Sequence, residues 1–414
     1  METVQVAAPR GAGVLRRNAL FRRIWLASTV SIFGDAITNI GVPTVAVLSL
    51  HASAFAVGGL AALVWAAWPL IGLPVGVWVD RLPRRPLLVA ADLIRLCLIG
   101  SLPLAWALGR LTIVQLLVVA TLAGACSVVF DLTFTAAIPD AVASDDLAEA
   151  NARLELSGST SRLTGPGLAG GLISLIGAPL SLLVDAASFA ASAWLLGTGP
   201  ILERRDEVRP RRPFLRELGE GMRALPTFAP VFRATFSAAL SNFAFTIGQG
   251  VFFVFAYRSV SLTPAEVGLA LTLASLGNIA GAAASPRLRE RLGTGPALLV
   301  STAFESTAVL LIPLGLLGAP IAFIALSMGI RSFFGPLWNV TAATMRQQIV
   351  PGELQGRVTA AARTIGMAVT PVGGLVGGAI AAFTSPATAL IAAGIIGGTS
   401  IIPVAGRTMR AVRI

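Results

Sequence analysis

Lysine is absent from the 414-residue chain, and the sequence holds only one histidine and two cysteines. Without lysine, the chain cannot form a Walker A phosphate loop, so it is not an ATP-driven pump on its own. A single histidine excludes the H-E-x-x-H zinc site, and two separated cysteines do not make a zinc site either. We therefore expect no enzyme, no metal site and no cofactor.

Charged residues are also scarce, at 12% of the chain, whereas soluble domains carry about 25%. In their place, 55% of the residues are hydrophobic and the mean hydropathy is +0.81. Apolar runs of about 20 residues match the thickness of a bilayer, in which only helices and closed barrels satisfy the backbone. Because the runs are continuous rather than alternating, the sequence predicts an all-α integral membrane protein.

Hydropathy and its interruptions predict twelve transmembrane helices. They lie near 21–50, 56–79, 86–109, 111–138, 150–176, 179–199, 228–257, 265–286, 295–317, 320–345, 354–383 and 386–406. Both cysteines, Cys97 and Cys126, fall inside predicted spans. We interpret them as small buried hydrophobic residues rather than as a disulfide.

The cations of the chain are all arginine, and their distribution predicts the topology. Arginines crowd the first 23 residues, the loop after the second span and the central loop, whereas the alternate loops offer only Arg110 and Arg258. By the positive-inside rule, both termini face the cytoplasm of a multi-pass protein in the inner (plasma) membrane. The net charge of +11 therefore reflects topology, and we expect the lipid bilayer rather than nucleic acid as a partner.

The sequence also repeats itself at about half its length. Residues 128–142 (VVFDLTFTAAIPDAV) align with 336–350 (PLWNVTAATMRQQIV), and 164–174 resemble 369–381. Two parallel six-helix halves are typical of secondary transporters, which bind substrate at the midplane between the halves. The predicted organisation is a cytoplasmic tail, a first half, a cytoplasmic central loop, a second half and a second cytoplasmic tail, at 1–20, 21–199, 200–227, 228–406 and 407–414.

The polar loop after the second span carries a dense motif, G-x-x-x-D-R-x-x-R-R followed by D-x-x-R. It consists of Gly76, Asp80, Arg81, Arg84, Arg85, Asp92 and Arg95. With the repeat and the topology, this motif resembles the loop 2–3 signature of the major facilitator superfamily. The resemblance implies a clasp between the halves, in which Asp80 meets the start of the eleventh span near Arg357. The alternative is that the arginines only fix the topology, which leaves the aspartate unexplained.

Two further segments, SIFGDAITNIGVPTVAV (31–47) and RQQIVPGELQGRV (346–358), resemble the macrolide-efflux and siderophore-exporter branch of that superfamily. The resemblance implies a monomeric exporter of drug-like amphipathic small molecules, working by alternating access with the proton as coupling ion. Export of a siderophore or a lipid-like metabolite is the alternative within that class. A transport-silent membrane sensor is the alternative from another class, and it would need a soluble domain that we do not find.

Charged residues inside predicted spans are costly and usually functional. Asp35 lies ~21 Å into the first span and is the first candidate for proton coupling or for binding a cationic substrate, followed by Glu305 and Asp131. Asp185 lies nearer the outer end of its span, and we interpret it as a helix cap. The intramembrane arginines either pair with these acids or meet an anionic substrate; the candidates are Arg162, Arg331 and Arg363.

Two clusters of glycine and proline are candidates for moving parts. The fifth span holds GPGLAGG, which resembles the "GP…GG" element of drug–proton antiporters and includes Gly165, Pro166, Gly170 and Gly171. The eleventh span holds two overlapping G-x-x-x-G pairs, a pattern that permits close helix approach. Its residues are Pro371, Gly373, Gly374, Gly377 and Gly378. Either a rocking hinge or plain tight packing accounts for both clusters.

Overall fold

The computed structural model describes residues 13–198, 214–406 and 409, including all their side chains except those of residues 73, 74, 77, 80, 81, 214 and 215. The first six long helices are α1 (Ala19–Thr44), α2 (Ala54–Arg81), α3 (Arg84–Ala107), α4 (Ile113–Ala141), α5 (Leu147–Ile176) and α6 (Ala178–Gly197). The last six are α7 (Ala229–Val254), α8 (Pro264–Leu292), α9 (Thr294–Thr307), α10 (Pro320–Ile349), α11 (Gly352–Phe383) and α12 (Pro386–Ala405).

Several of these helices continue or break within the membrane-spanning stretch. Helix α9 continues as a 3₁₀ helix, Ala308–Leu317. Helix α11 consists of two segments, Gly352–Ala368 and Thr370–Phe383, and α12 of Pro386–Thr399 and Ile401–Ala405. The predicted central loop contains a further helix, Phe214–Ala224, which we call the linker helix.

Each of the twelve predicted spans coincides with one long helix, which confirms the all-helical membrane fold. Eleven of the described helices are long and apolar enough to cross a membrane. The exception is α5, because residues such as Glu149, Arg153, Glu155 and Arg162 lower its hydropathy. Helix α5 packs against α1 and α8, so protein surfaces surround much of this more polar helix.

Polar residues between the apolar runs determine where several helices begin. The Ala56 amide donates a hydrogen bond to the Ser53 hydroxyl at the start of α2, and Thr112 caps α4 in the same way. At the start of α8, Thr263 and Glu266 form a capping box. Such caps satisfy backbone amides that the helix leaves unpaired, and each stabilises its helix by about 1 kcal/mol.

Successive helices alternate in direction, so their ends fall on two faces. We call the face with the starts of the odd-numbered helices the terminal face, and the other the opposite face. On the opposite face, α1 and α7 each end in a five-residue π turn, Val45–Ser49 and Phe255–Ser259. Each π turn is followed by a non-glycine residue with positive φ, His51 (50°) and Ser261 (53°). The internal repeat therefore extends to backbone geometry.

The halves meet along two seams of glycine. The first seam joins α2 to α11, and the second joins α5 to α8. A Cβ atom on Gly58 would lie 2.6 Å from the Gly378 Cα atom, and a Cβ atom on Gly170 would lie 2.9 Å from the Gly268 Cα atom. Because a side chain at these positions would collide with backbone, glycine is what permits the close approach. Both contacts lie toward the opposite face.

Candidate functional site

A cavity of about 720 Å³ lies between the halves at mid-depth. Six helices line it, namely α1, α5, α7, α8, α9 with its 3₁₀ extension, and α10, together with Leu390 of α12. Phe245 and Phe252 supply aromatic surface, while Gln249, Asn39 and several serine hydroxyls supply hydrogen-bonding groups. Small-molecule sites are clefts of ~300–1,000 Å³ with mostly apolar walls and a few polar groups, and this cavity matches that description.

Contacts between the two π turns close the cavity toward the opposite face. The hydroxyl oxygens of Thr44 and Tyr257 are 2.8 Å apart, and both side chains are buried. The Arg258 guanidinium donates a hydrogen bond to the Val47 carbonyl at 3.1 Å. The second half thus supplies side chains that hold the end of α1 in the first half.

Further hydrogen bonds join the halves from the opposite face to mid-depth. The Trp65 indole donates to Gln249 at 2.8 Å, and the Ser275 hydroxyl donates to the Arg162 carbonyl at 2.8 Å. Among the described residues, no hydrogen bond or ion pair joins the halves on the terminal-face side of Arg162. The hydrogen bonds between the halves therefore run from mid-depth outward to the opposite face.

Asp35 is the accessible end of a buried charge network in the first half. It lines the cavity from α1, with 40% of its side chain accessible, whereas Arg95 of α3 is only 2% accessible. Arg95 forms an ion pair with Asp92, one turn earlier in α3, and its Nη1 atom lies 3.9 Å from Asp35 Oδ1. The Arg95 guanidinium also lies 4.6 Å from the centroid of the Phe130 ring and 4.3 Å from that of Phe189.

Two more acids lie close to this network. Asp185 of α6 is fully buried and accepts hydrogen bonds from the Thr38 and Ser188 hydroxyls. Because Asp185 lies in the third turn of α6 and binds a side chain of α1, the interpretation of this residue as a helix cap is wrong. Asp131 of α4 is accessible and interacts electrostatically with the network. In the described part of the chain, no three His, Cys, Asp or Glu side chains are grouped to hold a metal ion.

The second half contributes a simple ion pair to the cavity wall. Arg331 Nη2 of α10 lies 3.2 Å from Glu305 Oε1 of α9, with side-chain accessibilities of 26% and 17%. The Arg331 guanidinium lies 4.0 Å from the centroid of the Phe245 ring on α7. The sequence left open whether Arg331 pairs with an intramembrane acid or meets an anionic substrate. In the structure, Arg331 pairs with Glu305.

The other two intramembrane arginines differ from each other. Arg162 of α5 forms an ion pair with Glu155, and both side chains are largely accessible. Arg363 of α11 is accessible and lies over the Trp68 ring of α2, 5.0 Å from its centroid. Arg363 has no acidic partner among the described residues.

The motif between α2 and α3 is only partly covered by described side chains. Arg84 contacts Asp140 and the backbone carbonyl of Ala136 near the end of α4. Gly76 faces open space and Arg85 is half-buried. The side chains of Asp80 and Arg81 lie outside the described residues. The described arginine contacts of this motif therefore stay within the first half.

Arg357, the predicted partner of Asp80, binds a different carboxylate. Its Nη1 atom lies 2.9 Å from Glu220 Oε2 of the linker helix. The linker helix packs against the first segment of α11, and Gly221 faces the Arg357 carbonyl without room for a side chain. The contact between Asp80 and Arg357 stays a prediction.

The glycines of α5 lie against two different helices. A Cβ atom on Gly165 would lie 2.8 Å from the Ala36 Cβ atom of α1, whereas Gly170 faces α8 at the second seam. Gly171 has no neighbour within 4 Å, and Pro166 lines the cavity. Tight packing therefore explains Gly165 and Gly170 but not Gly171.

The glycines of α11 divide in the same way. Gly373 and Gly377 face α7 of their own half, whereas Gly374 and Gly378 face α2 of the other half. Pro371 lies in the first turn of the second segment of α11, directly after the break. The two G-x-x-x-G pairs thus serve two separate helix contacts.

Sequence reasoning missed three residues that shape the site: Phe245, Gln249 and Tyr257. Phe245 and Gln249 lie in an apolar helix where nothing marks them as facing a cavity. Tyr257 is the only tyrosine of the chain. Its being unique is the one feature of the sequence that could have drawn attention to it.

Three comparisons place the chain among known proteins. A profile of the family described as transmembrane secretion effector matches residues 14–406. The multidrug efflux pump Tap of Mycolicibacterium fortuitum is 25% identical over 384 residues, which cover 88% of this chain and 90% of that protein.

Solved structures share the fold at lower identity. A mutant of the nucleoside transporter NupG has a TM-score of 0.75 at 13% identity, covering 93% of this chain and 98% of that one. A bacterial homologue of the iron transporter ferroportin, in an inward-facing state, has a TM-score of 0.72 at 17% identity, covering 96% and 100%.

Proposed function

Because the chain belongs to the transmembrane secretion effector family of the major facilitator superfamily, it is a membrane transporter and not an enzyme, and we propose that it exports amphipathic small molecules by alternating access. The proposed coupling is to proton influx, with the terminal face in the cytoplasm. The similarity to a multidrug efflux pump over most of the chain supports the direction of transport. The arginine-rich loops support the orientation.

The cavity between the halves is the observation that carries this proposal. Its volume of about 720 Å³ suits a drug-sized molecule. Aromatic and aliphatic walls bind the apolar body of an amphiphile, and the amide and hydroxyl groups bind its polar atoms. Because the contacts between the halves run from mid-depth to the opposite face, substrate enters from the terminal face in this state.

Asp35 is the proposed proton site. It is accessible from the cavity, and its contact with Arg95 at 3.9 Å is longer than a full ion pair, because Arg95 already binds Asp92. When Asp35 binds a proton, Arg95 keeps Asp92 as its partner, so the network remains balanced. When Asp35 loses the proton, its carboxylate can bind a basic group of the substrate or return to Arg95. Proton and substrate would thus compete for one carboxylate, which is what exchange requires.

Uptake of the lipophilic dye rhodamine 6G into everted membrane vesicles tests this function. We expect energised vesicles with the wild-type protein to accumulate the dye, an uncoupler to abolish accumulation, and Asp35→Asn to reduce it about tenfold or more. Asp145→Asn is the matched control, since Asp145 is exposed in the turn between α4 and α5. Uptake that resists the uncoupler would exclude proton coupling, and full uptake by Asp35→Asn would exclude Asp35. No uptake of this or any other amphiphile would contradict the exporter itself.

A further inference from the structure

Arg363 is the exception among the deep arginines of the described chain. Arg95, Arg162, Arg331 and Arg363 each lie at least about three turns from both ends of their helices. The first three form ion pairs with Asp92, Glu155 and Glu305 respectively. Arg363 instead contacts the face of Trp68. An intramembrane cation without an acidic partner is costly to keep, and it usually marks a binding site.

Arg363 lies where the two halves begin to separate. At the first seam, Gly374 of α11 packs within 2.9 Å of the backbone of α2 at Ala62, measured from an added Cβ atom. Trp68 follows Ala62 along α2 by ~9 Å toward the terminal face. There α2 meets the first segment of α11, with which it has far less contact than with the second segment. Arg363 and Trp68 thus lie on the terminal-face side of the first seam, where contact between α2 and α11 decreases.

Contact with an aromatic face leaves the hydrogen-bonding edge of a guanidinium free. The Arg363 Cζ atom lies over the Trp68 ring, 5.0 Å from its centroid, and among the described residues none of the five N–H donors of this planar guanidinium has a hydrogen-bond acceptor. Carboxylates and phosphates match this planar arrangement with two parallel hydrogen bonds. Trp68 also restricts the motion of the side chain, so less conformational entropy is lost when an acidic group binds.

We propose that Arg363, supported by Trp68, binds the acidic group of an amphipathic substrate that enters between α2 and α11. This inference rests on the proposed export function and predicts that the protein prefers amphiphiles with a carboxylate or phosphate over amphiphiles without one. The acid-rich network behind Asp35 separately favours a basic group on the substrate. The preferred substrate class is therefore a zwitterionic amphiphile.

Two dyes that differ only in one carboxylate test this site. Rhodamine B carries a free carboxylate, which is fully ionised at an assay pH of about 8. Its ethyl ester carries no ionisable carboxyl group. Binding to the purified full-length protein in neutral detergent is followed by fluorescence polarisation. We expect wild type to bind the acid form more tightly than the ester. Arg363→Gln should weaken binding of the acid form about tenfold, as for the loss of a charge-assisted hydrogen bond, and leave the ester unchanged.

Three variants serve as controls. Arg363→Lys keeps the charge but not the planar group, so an intermediate affinity for the acid form is expected. Arg287→Gln removes an exposed arginine of α8 and should change neither affinity. Trp68→Phe keeps an aromatic face that attracts a cation less strongly, and it should weaken binding of the acid form by about twofold. Elution of each variant as a single symmetric peak confirms that it is folded.

The outcomes separate this inference from the proposed function. If wild type binds neither dye, or if Arg363→Gln weakens both forms equally or neither, the site for acidic groups is excluded. If added phosphatidylglycerol displaces the acid form while Arg363→Gln leaves dye binding unchanged, the arginine binds lipid rather than substrate. Vesicle uptake of the ester without the acid form would leave export intact and overturn this inference. If dye binding depends on Arg363 but vesicles take up neither dye, the site for acidic groups is supported and the export function is contradicted.

Discussion

The two halves hold their deep arginines in different ways. In the first half, Arg95 is enclosed by Asp92 and two aromatic rings and reaches toward Asp35. In the second half, Arg331 meets Glu305 at the cavity surface and lies over one ring. The backbone repeats closely, down to the π turns and the positive φ values that follow them. The two halves therefore share a backbone architecture. The proposed proton site lies in the first half because the additional acidic side chains lie there.

Replacing Arg95 in the first half should destabilise the protein far more than replacing Arg331 in the second half. Arg95→Gln leaves Asp92 buried without its partner, which costs about 3–5 kcal/mol. Arg331→Gln leaves Glu305 partly accessible to the cavity, so a cost of about 1 kcal/mol is expected. Thermal unfolding of both purified variants in detergent measures the difference.

A double variant tests whether the buried acid is the cause. Asp92→Leu combined with Arg95→Met removes both charges and should recover much of the stability lost in Arg95→Gln. Equal melting temperatures for Arg95→Gln and Arg331→Gln would contradict the proposed difference between the halves.

Alanine substitutions at the two glycine seams should destabilise the protein to a similar extent. Gly170→Ala and Gly378→Ala each place a methyl group against backbone of the other half, and each should cost about 1–3 kcal/mol. Gly171→Ala meets open space and should leave the melting temperature unchanged or slightly raised, because alanine favours the helix. If Gly171→Ala is as harmful as Gly170→Ala, the hinge interpretation of the GPGLAGG segment gains support over tight packing.

The smallest difference between matched variants is expected for the rings that contact the two arginines. Phe189→Leu removes a ring from a fully buried guanidinium and should destabilise by about 2 kcal/mol, whereas Phe245→Leu should cost about 0.5–1 kcal/mol at the cavity surface. Melting temperatures in detergent resolve this difference when the variants are measured side by side. A larger loss for Phe245→Leu would reverse the ranking of the two arginine sites.

The sequence predicted the helices well because every span except α5 is a continuous apolar run bounded by polar caps or prolines. It also identified Asp35, since a carboxylate within such a run stands out. It did not predict that Arg95 would be shared between Asp92 and Asp35, because Arg95 belongs to a loop motif whose arginines also explain topology. Only the packing of α1 and α3 against α6, and of α3 against α4, brings these residues together.

The partner of Arg357 was beyond sequence reasoning for a different reason. The resemblance directs Arg357 toward Asp80, but Glu220 lies in a segment that composition marks only as a polar linker. Average hydropathy does not reveal the linker helix, because only one face of it is apolar and packs against protein. The helical spacing of its apolar residues is the signal that could have predicted it. The seams were likewise visible only as G-x-x-x-G spacing, which does not indicate which neighbour each glycine faces.

Helix α5 makes the assembly of the first half depend on the second. Among the described long helices, it alone is too polar to qualify as a span by composition. During synthesis, α5 leaves the ribosome after α1 but well before α8. Its insertion therefore relies first on α1, and the surface that α8 later covers is left to lipid until the second half is translated. The two halves are repeats in architecture, yet biogenesis of the first is completed only by the arrival of the second.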